Sequence, residues 1–275
     1  MAGVSSESLT KALTELEPKL PFASLQLAKE LFGILGAVDS SAGLRRALTD
    51  PSRSGEEKSA LIKQLFGGKA SAEAVDIAAG LASSRWASAR DIGDALETLA
   101  ATVVIAVAEN KSAVSASGIT GLEELENDLF SFNQAVAANH DVQRALSEPQ
   151  ASAAAKTVLA ERLVPSASEE AKVLVGQAVT QPRGIKATRL VSRFAELAAK
   201  RQQRWIATVS VTRPLTEAQA NRLQQGLNSL YGRELKVNVK ADPTLIGGIR
   251  VQVGDEVLDA SVFTRLNDLQ RQLAG

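Results

Sequence analysis

Apolar positions recur along most of this chain at helical spacing. Leu9, Leu13 and Leu16 share one face of a helix expected over 7–17, which Pro18 and Pro21 break. Leu25, Ala28, Phe32 and Leu35 follow at spacings of 3, 4 and 3, the stripe of an amphipathic helix over 22–38. Leu44 to Thr49 predicts a short helix stopped by Pro51. Ser54 and Glu57 have the spacing of a capping box for the next helix. Its buried face is Leu61, Ile62, Leu65 and Phe66, and Gly67-Gly68 ends it. Two more helices are expected over 72–82 and 89–108.

The pattern then returns about 98 residues later. Leu122, Leu125, Leu129 and Phe132 repeat the stripe of Leu25, Ala28, Phe32 and Leu35. Val142 to Pro149 repeats Leu44 to Pro51. Ser152, Lys156, Leu159 and Leu163 repeat Ser54, Lys58, Leu61 and Leu65, and Arg183 stands to Arg85 as Phe194 does to Leu96. A proline, a serine cap and a lysine held in constant register are hard to obtain by chance, even in Ala-rich helical sequence. The expected organisation is two copies of one small helical bundle, 1–112 and 113–204. The second copy closes with a long helix over 185–204. Leu190, Phe194 and Leu197 lie on one side of it, beside a basic stripe of Lys186, Arg189, Arg193, Lys200 and Arg204. That stripe is either a solvated face or a docking surface for an acidic partner helix.

After Arg204 the period changes to two. Trp205 to Arg213 is a β-branched strand closed by Pro214. Thr216 and Gln219 form a capping box for a helix over 217–230, with Ala220, Leu223, Leu227 and Leu230 as its buried stripe. Leu235, Val237 and Val239 alternate with polar residues in the next strand. Asp242-Pro243 opens a turn, Gly247-Gly248 leads into a strand over 249–253, and Gly254-Asp255 reverses the chain into a short strand over 256–259. A last helix is expected over 262–273, capped by Asp259 or Ser261. The fold class is mainly α: two tandem small helical bundles followed by a small α/β (α+β) domain over 205–275.

Composition narrows the chemistry. The 275 residues carry 31 basic and 31 acidic side chains, so nothing favours nucleic acid, whose binding rests on phosphate neutralisation. There is no cysteine and one histidine, which excludes disulfides, thiolate metal sites and multi-histidine metal sites. His140, beside Asn139 and Asp141, reads as a surface or capping residue rather than a general base. Glu56-Glu57, Glu123-Glu124 and Glu169-Glu170 fall in first helical turns, where they complement the macrodipole. Gly247-Gly248 runs into a strand rather than a helix and has no Lys-Ser/Thr after it, so it sets backbone geometry rather than cradling phosphate. The longest apolar run, 99–108, falls short of the ~20 residues of a membrane span. With no apolar signal core at the N-terminus, a soluble cytoplasmic protein is expected. No catalytic constellation, metal site or cofactor is expected.

The C-terminal motifs carry a resemblance. Arg213-Pro214-Leu215-Thr216 after a strand, Asp242-Pro243-Thr244-Leu245-Ile246-Gly247-Gly248, Gly254-Asp255-Glu256-Val257-Leu258-Asp259-Ala260-Ser261-Val262 and Arg265-Leu266 follow one family pattern. On these residues the chain resembles the δ subunit of bacterial F-type ATP synthase, equivalent to the mitochondrial oligomycin-sensitivity-conferring protein. Leu27-Ala28-Lys29-Glu30-Leu31-Phe32 is a weaker match near the N-terminus. Ala241, Leu258 and Leu27 depart mildly from the usual Val, Ile and Tyr. The doubled helical region resembles the extended form of actinobacterial members. The resemblance implies a non-catalytic stator of the peripheral stalk, needed for coupling proton flow to ATP synthesis. Its helical part would bind the N-terminal amphipathic helix of an α subunit, with Leu27, Phe32, Lys186, Arg189 and Arg193 as candidate partner-binding residues. Its α/β domain would hold the b subunits. Asp242, Pro243, Gly247, Gly248, Gly254, Asp255, Asp259 and Ser261 would shape that domain. Location would be peripheral, on the cytoplasmic face of the membrane, through the complex. The competing reading is a helical adaptor of another multiprotein assembly.

Overall fold

The computed structural model describes residues 3–111, 120–203, 206–212, 215–231, 235–242, 245, 248–253 and 256–259. Helix α1 (Val4–Leu16) runs into a 3₁₀ turn over Glu17–Phe22. Pro18 and Pro21 therefore end the α-helix without ending helical turning: proline fixes φ near the helical value, and the tighter turn tolerates its missing N–H. Ser24 caps α2 (Leu25–Ser40) and Ser41 caps α3 (Ala42–Thr49). The Ser54–Glu57 capping box starts α4 (Gly55–Phe66), which Gly67 and Gly68 (φ 73°) terminate. Ser71 caps α5 (Ala72–Ser83), and α6 follows (Asp91–Glu109).

The second series repeats these devices. A Thr120–Glu123 capping box starts α7 (Gly121–Ala137), and Asn139 caps α8 (His140–Ser147). Ser152 caps α9 (Ala153–Leu163), Ser168 caps α10 (Glu169–Thr180), and α11 covers Ala187–Gln203. The correspondence extends to tertiary bonds. The Ser71 N–H and Oγ–H both donate to Glu30 on α2, as the Ser168 N–H and Oγ–H both donate to Asp128 on α7. Arg45 caps the Val38 and Asp39 carbonyls, and Gln143 caps those of Val136 and Ala137.

Helix α6 is the axis of the helical part. Apolar residues all round it are buried, among them Ile92, Leu96, Leu99, Val103, Val104 and Ile105. It packs along α2 and α1 and also against α7 and α10. A helix with neighbours on most sides buries most of its circumference, and Asp91, Asp94, Thr98 and Thr102 keep one narrow, partly exposed polar line. One contiguous core runs from Leu16 to Ala198. Chain contacts define two compact units, Met1–Ala198 and Ala199–Gly275.

The C-terminal unit is built on a second, separate core. Strands β1 (Ile206–Val211), β2 (Lys236–Ala241), β3 (Ile249–Val253) and β4 (Glu256–Asp259) form a sheet of order β2-β1-β3-β4. The helix α12 (Glu217–Tyr231) joins β1 to its parallel neighbour β2. β3 lies antiparallel to β1 and to β4, with Val209 opposite Val251 and Arg250 opposite Asp259. Ala207, Val209 and Val211 alternate with Thr208, Ser210 and Thr212, and the apolar set packs with Leu227, Val251 and Val253. On α12 the stripe continues from Leu227 to Tyr231, which packs against this core, whereas Leu230, expected to be buried, is 66 % exposed. A step of four lies closer to the helical repeat than a step of three. The Thr216–Gln219 capping box forms as the sequence predicts. The helix expected over 262–273 lies outside the described residues. Mainly α with a small C-terminal α/β region is thus the architecture. Among the described residues no helix is long and apolar enough to cross a membrane.

Candidate functional site

Among the described residues no group of three or more His, Asp or Glu side chains could hold a metal ion. His140 is the exposed first residue of α8, and the capping oxygen there is Asn139 Oδ1, which accepts from the Asp141 and Val142 N–H groups. The acidic pairs stand in the first turns of α4, α7 and α10, as their sequence position indicates. Glu170 departs from a plain dipole role: it is buried and accepts from Lys111 Nζ at 2.6 Å, tying the end of α6 to the start of α10.

The Asp242 N–H donates to the Val211 carbonyl at 2.8 Å, and its own carbonyl accepts from the Leu245 N–H. Gly248 has φ 84°, a left-handed conformation that suits glycine, and leads directly into β3. Asp259 ends β4 opposite Arg250. Pro243, Gly247, Gly254, Asp255 and Ser261 lie outside the described residues.

Two features of the helical unit were not legible in the sequence. The first is the seat of Arg183. Its side chain is 9 % exposed, with Nε 2.5 Å from Asp39 Oδ2, Nη1 2.6 Å from Asp94 Oδ1 and 3.6 Å from Glu97 Oε2. Arg183 is also the non-glycine residue with positive φ (52°) among the described residues, and the Arg90 guanidinium donates to its carbonyl. That backbone state costs a bulky side chain energy, so the surrounding bonds hold it. Burial pushes the Glu97 carboxyl above its usual range, against the pull of Arg183 and Arg193.

The second is a groove of about 1160 Å³ formed by the end of α7, α8, the start of α9 and the 182–189 turn into α11. Val136 and Leu146 are its buried apolar residues, and Arg144, Lys156, Lys186 and Arg189 its cations. Lys186 and Arg189 belong to the exposed basic stripe, which continues through Arg193 and Lys200. Leu27 and Phe32 are placed differently. Both are in the helical core, 5 % and 6 % exposed, on the buried side of α2.

A family model described as ATP synthase delta (OSCP) subunit matches residues 101–273. The chain belongs to the ATP synthase delta (OSCP) subunit family. Two relatives, the ATP synthase subunit delta of Pseudarthrobacter chlorophenolicus and that of Arthrobacter sp. (strain FB24), are 83 % and 82 % identical over 275 residues, all of this chain and all of each relative. The ATP synthase subunit delta of Streptomyces coelicolor is 37 % identical, covering 100 % of this chain and 98 % of that one. A chain of the solved Toxoplasma gondii mitochondrial ATP synthase hexamer is 20 % identical, with a TM-score of 0.32, over 64 % of this chain and 95 % of that one. The OSCP model starts inside α6, so it spans the second helical series and the sheet unit. The groove lies within the span that matches the OSCP model, while α1 to α5 precede it. The three delta relatives align with the whole of this chain, α1 to α5 included.

Proposed function

We propose that this chain is the stator subunit that joins the α/β catalytic head of an F-type ATP synthase to the b subunits of the peripheral stalk. In this reading it is non-catalytic and sits on the cytoplasmic face of the membrane through the complex. The observation that carries the proposal is the OSCP match running through both units, 101–273, in a chain whose two parts have separate cores. The helical copies, 1–112 and 113–204, receive the N-terminal helix of an α subunit, a helix-in-groove contact. The exposed Lys186, Arg189 and Arg193 are candidates for such contacts. The α/β module, 205–275, holds the b subunits, and Asp242, Gly248 and Asp259 shape its turns. Such a joint needs affinity and stiffness rather than acid–base groups. The test is deletion of Val209 to Gly275 in the assembled complex. ATP hydrolysis by the head persists and ATP-driven proton pumping is lost; normal pumping without that region overturns the proposal.

A further inference from the structure

The helical unit holds two grooves related by the internal repeat, and they differ in what fills them. The first is lined by Asp39, Arg45 and the Ser88–Arg90 turn, and Gln181 and Arg183 enter it from the end of α10. Arg183 is seated there on Asp39, Asp94 and Glu97. Gly36 and Gly93 leave the room: a Cβ at Gly36 would meet the Gln181 amide, and one at Gly93 the Arg183 guanidinium. The first groove is therefore an acidic socket closed by a cation of the same chain.

A shift of about 98 residues carries Asp39, Arg45 and Ser88–Arg90 onto Ala137, Gln143 and Lys186–Thr188, all in the wall of the second groove. Its chemistry is inverted. Ala137, Ser192 and Ala195 stand where Asp39, Asp94 and Glu97 form the socket, and Arg189 stands where the first copy has Asp91. At the next pair, Lys58 is buried and its Nζ donates to the Ser84 carbonyl, whereas Lys156 lines the open groove. Buried Trp86 is matched by Gly184, at φ 81°. Among the described residues Lys156, Lys186 and Arg189 have no carboxylate within ion-pair distance, while Arg144 is already paired with Asp141 at 2.9 Å. Asn133, in the same wall, keeps a buried Oδ1 with no donor.

We propose that the second groove binds an acidic segment of another subunit of the assembly. Carboxylates of that segment pair with Lys156, Lys186 and Arg189, and an apolar side chain between them rests on Val136 and Leu146. An unpaired cationic rim over an apolar floor selects a guest of opposite sign and rejects a basic one. The first groove shows the same logic with signs reversed, filled from within the chain. The inference rests on the stator reading only for where the guest is found.

The natural absence of cysteine makes the test direct. Ala187→Cys in the full chain, labelled with a benzophenone, is reconstituted into purified ATP synthase and irradiated. The expected crosslink maps by mass spectrometry to a segment of another subunit with net negative charge. Lys186→Glu combined with Arg189→Glu lowers the yield by at least about tenfold, and Lys186→Gln with Arg189→Gln lowers it less, as a charge contact requires. Lys11→Glu, on exposed α1, leaves it unchanged. No crosslink, a crosslink to a basic or neutral segment, or an undiminished yield in the charge-reversed variant overturns the inference. The readouts are separable: failure of the stator reading appears as pumping by the 209–275 deletion, whatever the groove crosslinks to.

Discussion

Arg183 and Asp39 are 144 positions apart in sequence, and Arg183 Nε lies 2.5 Å from Asp39 Oδ2. The bond ties the turn before α11 to the end of α2, with Asp94 on α6 as a second acceptor. A buried cation among three carboxylates is strongly interdependent. Replacing it leaves the acids uncompensated, at a cost of about 3–5 kcal/mol. Arg183→Ala should therefore shift the urea midpoint of the helical signal downward by that equivalent. Arg183→Lys should recover only part, because a point charge cannot divide its donors between Asp39 and Asp94 as a guanidinium does. An unchanged midpoint for Arg183→Ala would show that the seat adds nothing to stability.

Glu97 gives this seat a pH dependence of defined sign. Burial raises its pKa in the folded chain, with Arg183 and Arg193 opposing and Asp94 and Asp39 assisting. A carboxyl raised on folding contributes stability that is fully present below its unfolded pKa of 4.5 and lost as pH rises through the folded value. Glu97→Gln removes the charge that is costly above that window. The variant should gain stability relative to the parent as pH rises above 4.5, and the difference should vanish at lower pH. Parallel urea titrations across acid and neutral pH measure this, and a difference that grows on acidification would reverse the assignment.

The serine caps predict losses graded by the contacts each hydroxyl makes. Ser168 Oγ accepts from the Ala171 N–H and donates to Asp128 at 2.7 Å, so it serves two contacts, as Ser71 does with Glu30. Ser152 Oγ bonds the Ala155 N–H only. Ser152→Ala should cost about 1 kcal/mol and Ser168→Ala towards 2. A double-mutant cycle of Ser168→Ala with Asp128→Ala should show a coupling of about 0.5–3 kcal/mol, and additive losses would deny the contact.

Phe130 and Phe132 test packing on one helix. Phe132 is fully buried, whereas Phe130 is 62 % exposed. Phe132→Ala should cost about 3–5 kcal/mol. Phe130→Ala should stay within about 0.5 kcal/mol of the parent in the isolated chain. A comparable loss at both positions would mean that α7 is turned differently on the core.

Local signals in the sequence carried most of the fold. Serine and threonine caps, glycine stops and the change of period at Arg204 are decided by neighbours within a few residues, so α4, α12 and the strands stand where expected. The two prolines after α1 predict a break and instead sit in a 3₁₀ turn, because a single proline excludes an α-helix interior but not a tighter turn. Arg183 was visible only as the counterpart of Arg85. Its acceptors Asp39 and Asp94 are distant in sequence, and no spacing rule links them. The resemblance marks Leu27 and Phe32 as candidate partner-binding residues, yet apolar side chains on a helix packed along α6 are drawn into the core. The groove was beyond reach for the same reason as the Arg183 seat: its wall is assembled from α7, α8, α9 and α11.

Gly93 and Gly33 separate close packing from helix propensity. In a helix interior alanine is favoured over glycine by about 1 kcal/mol. At Gly33, exposed on α2, an added Cβ meets nothing within 4 Å. Gly33→Ala should therefore stabilise the helical unit by up to about 1 kcal/mol. At Gly93 on α6 the same methyl runs into the Arg183 guanidinium and lies 3.0 Å from Asp39 Oδ1. The guanidinium cannot withdraw without lengthening its bonds to Asp39 and Asp94. Gly93→Ala should thus lose its propensity gain and end net destabilised by about 1–3 kcal/mol, the usual cost of overfilling a packed site. In the Arg183→Ala background the obstacle is gone, and Gly93→Ala should become neutral or stabilising. A Gly93→Ala penalty that persists without the Arg183 side chain would place its cause elsewhere in the α2–α6 contact.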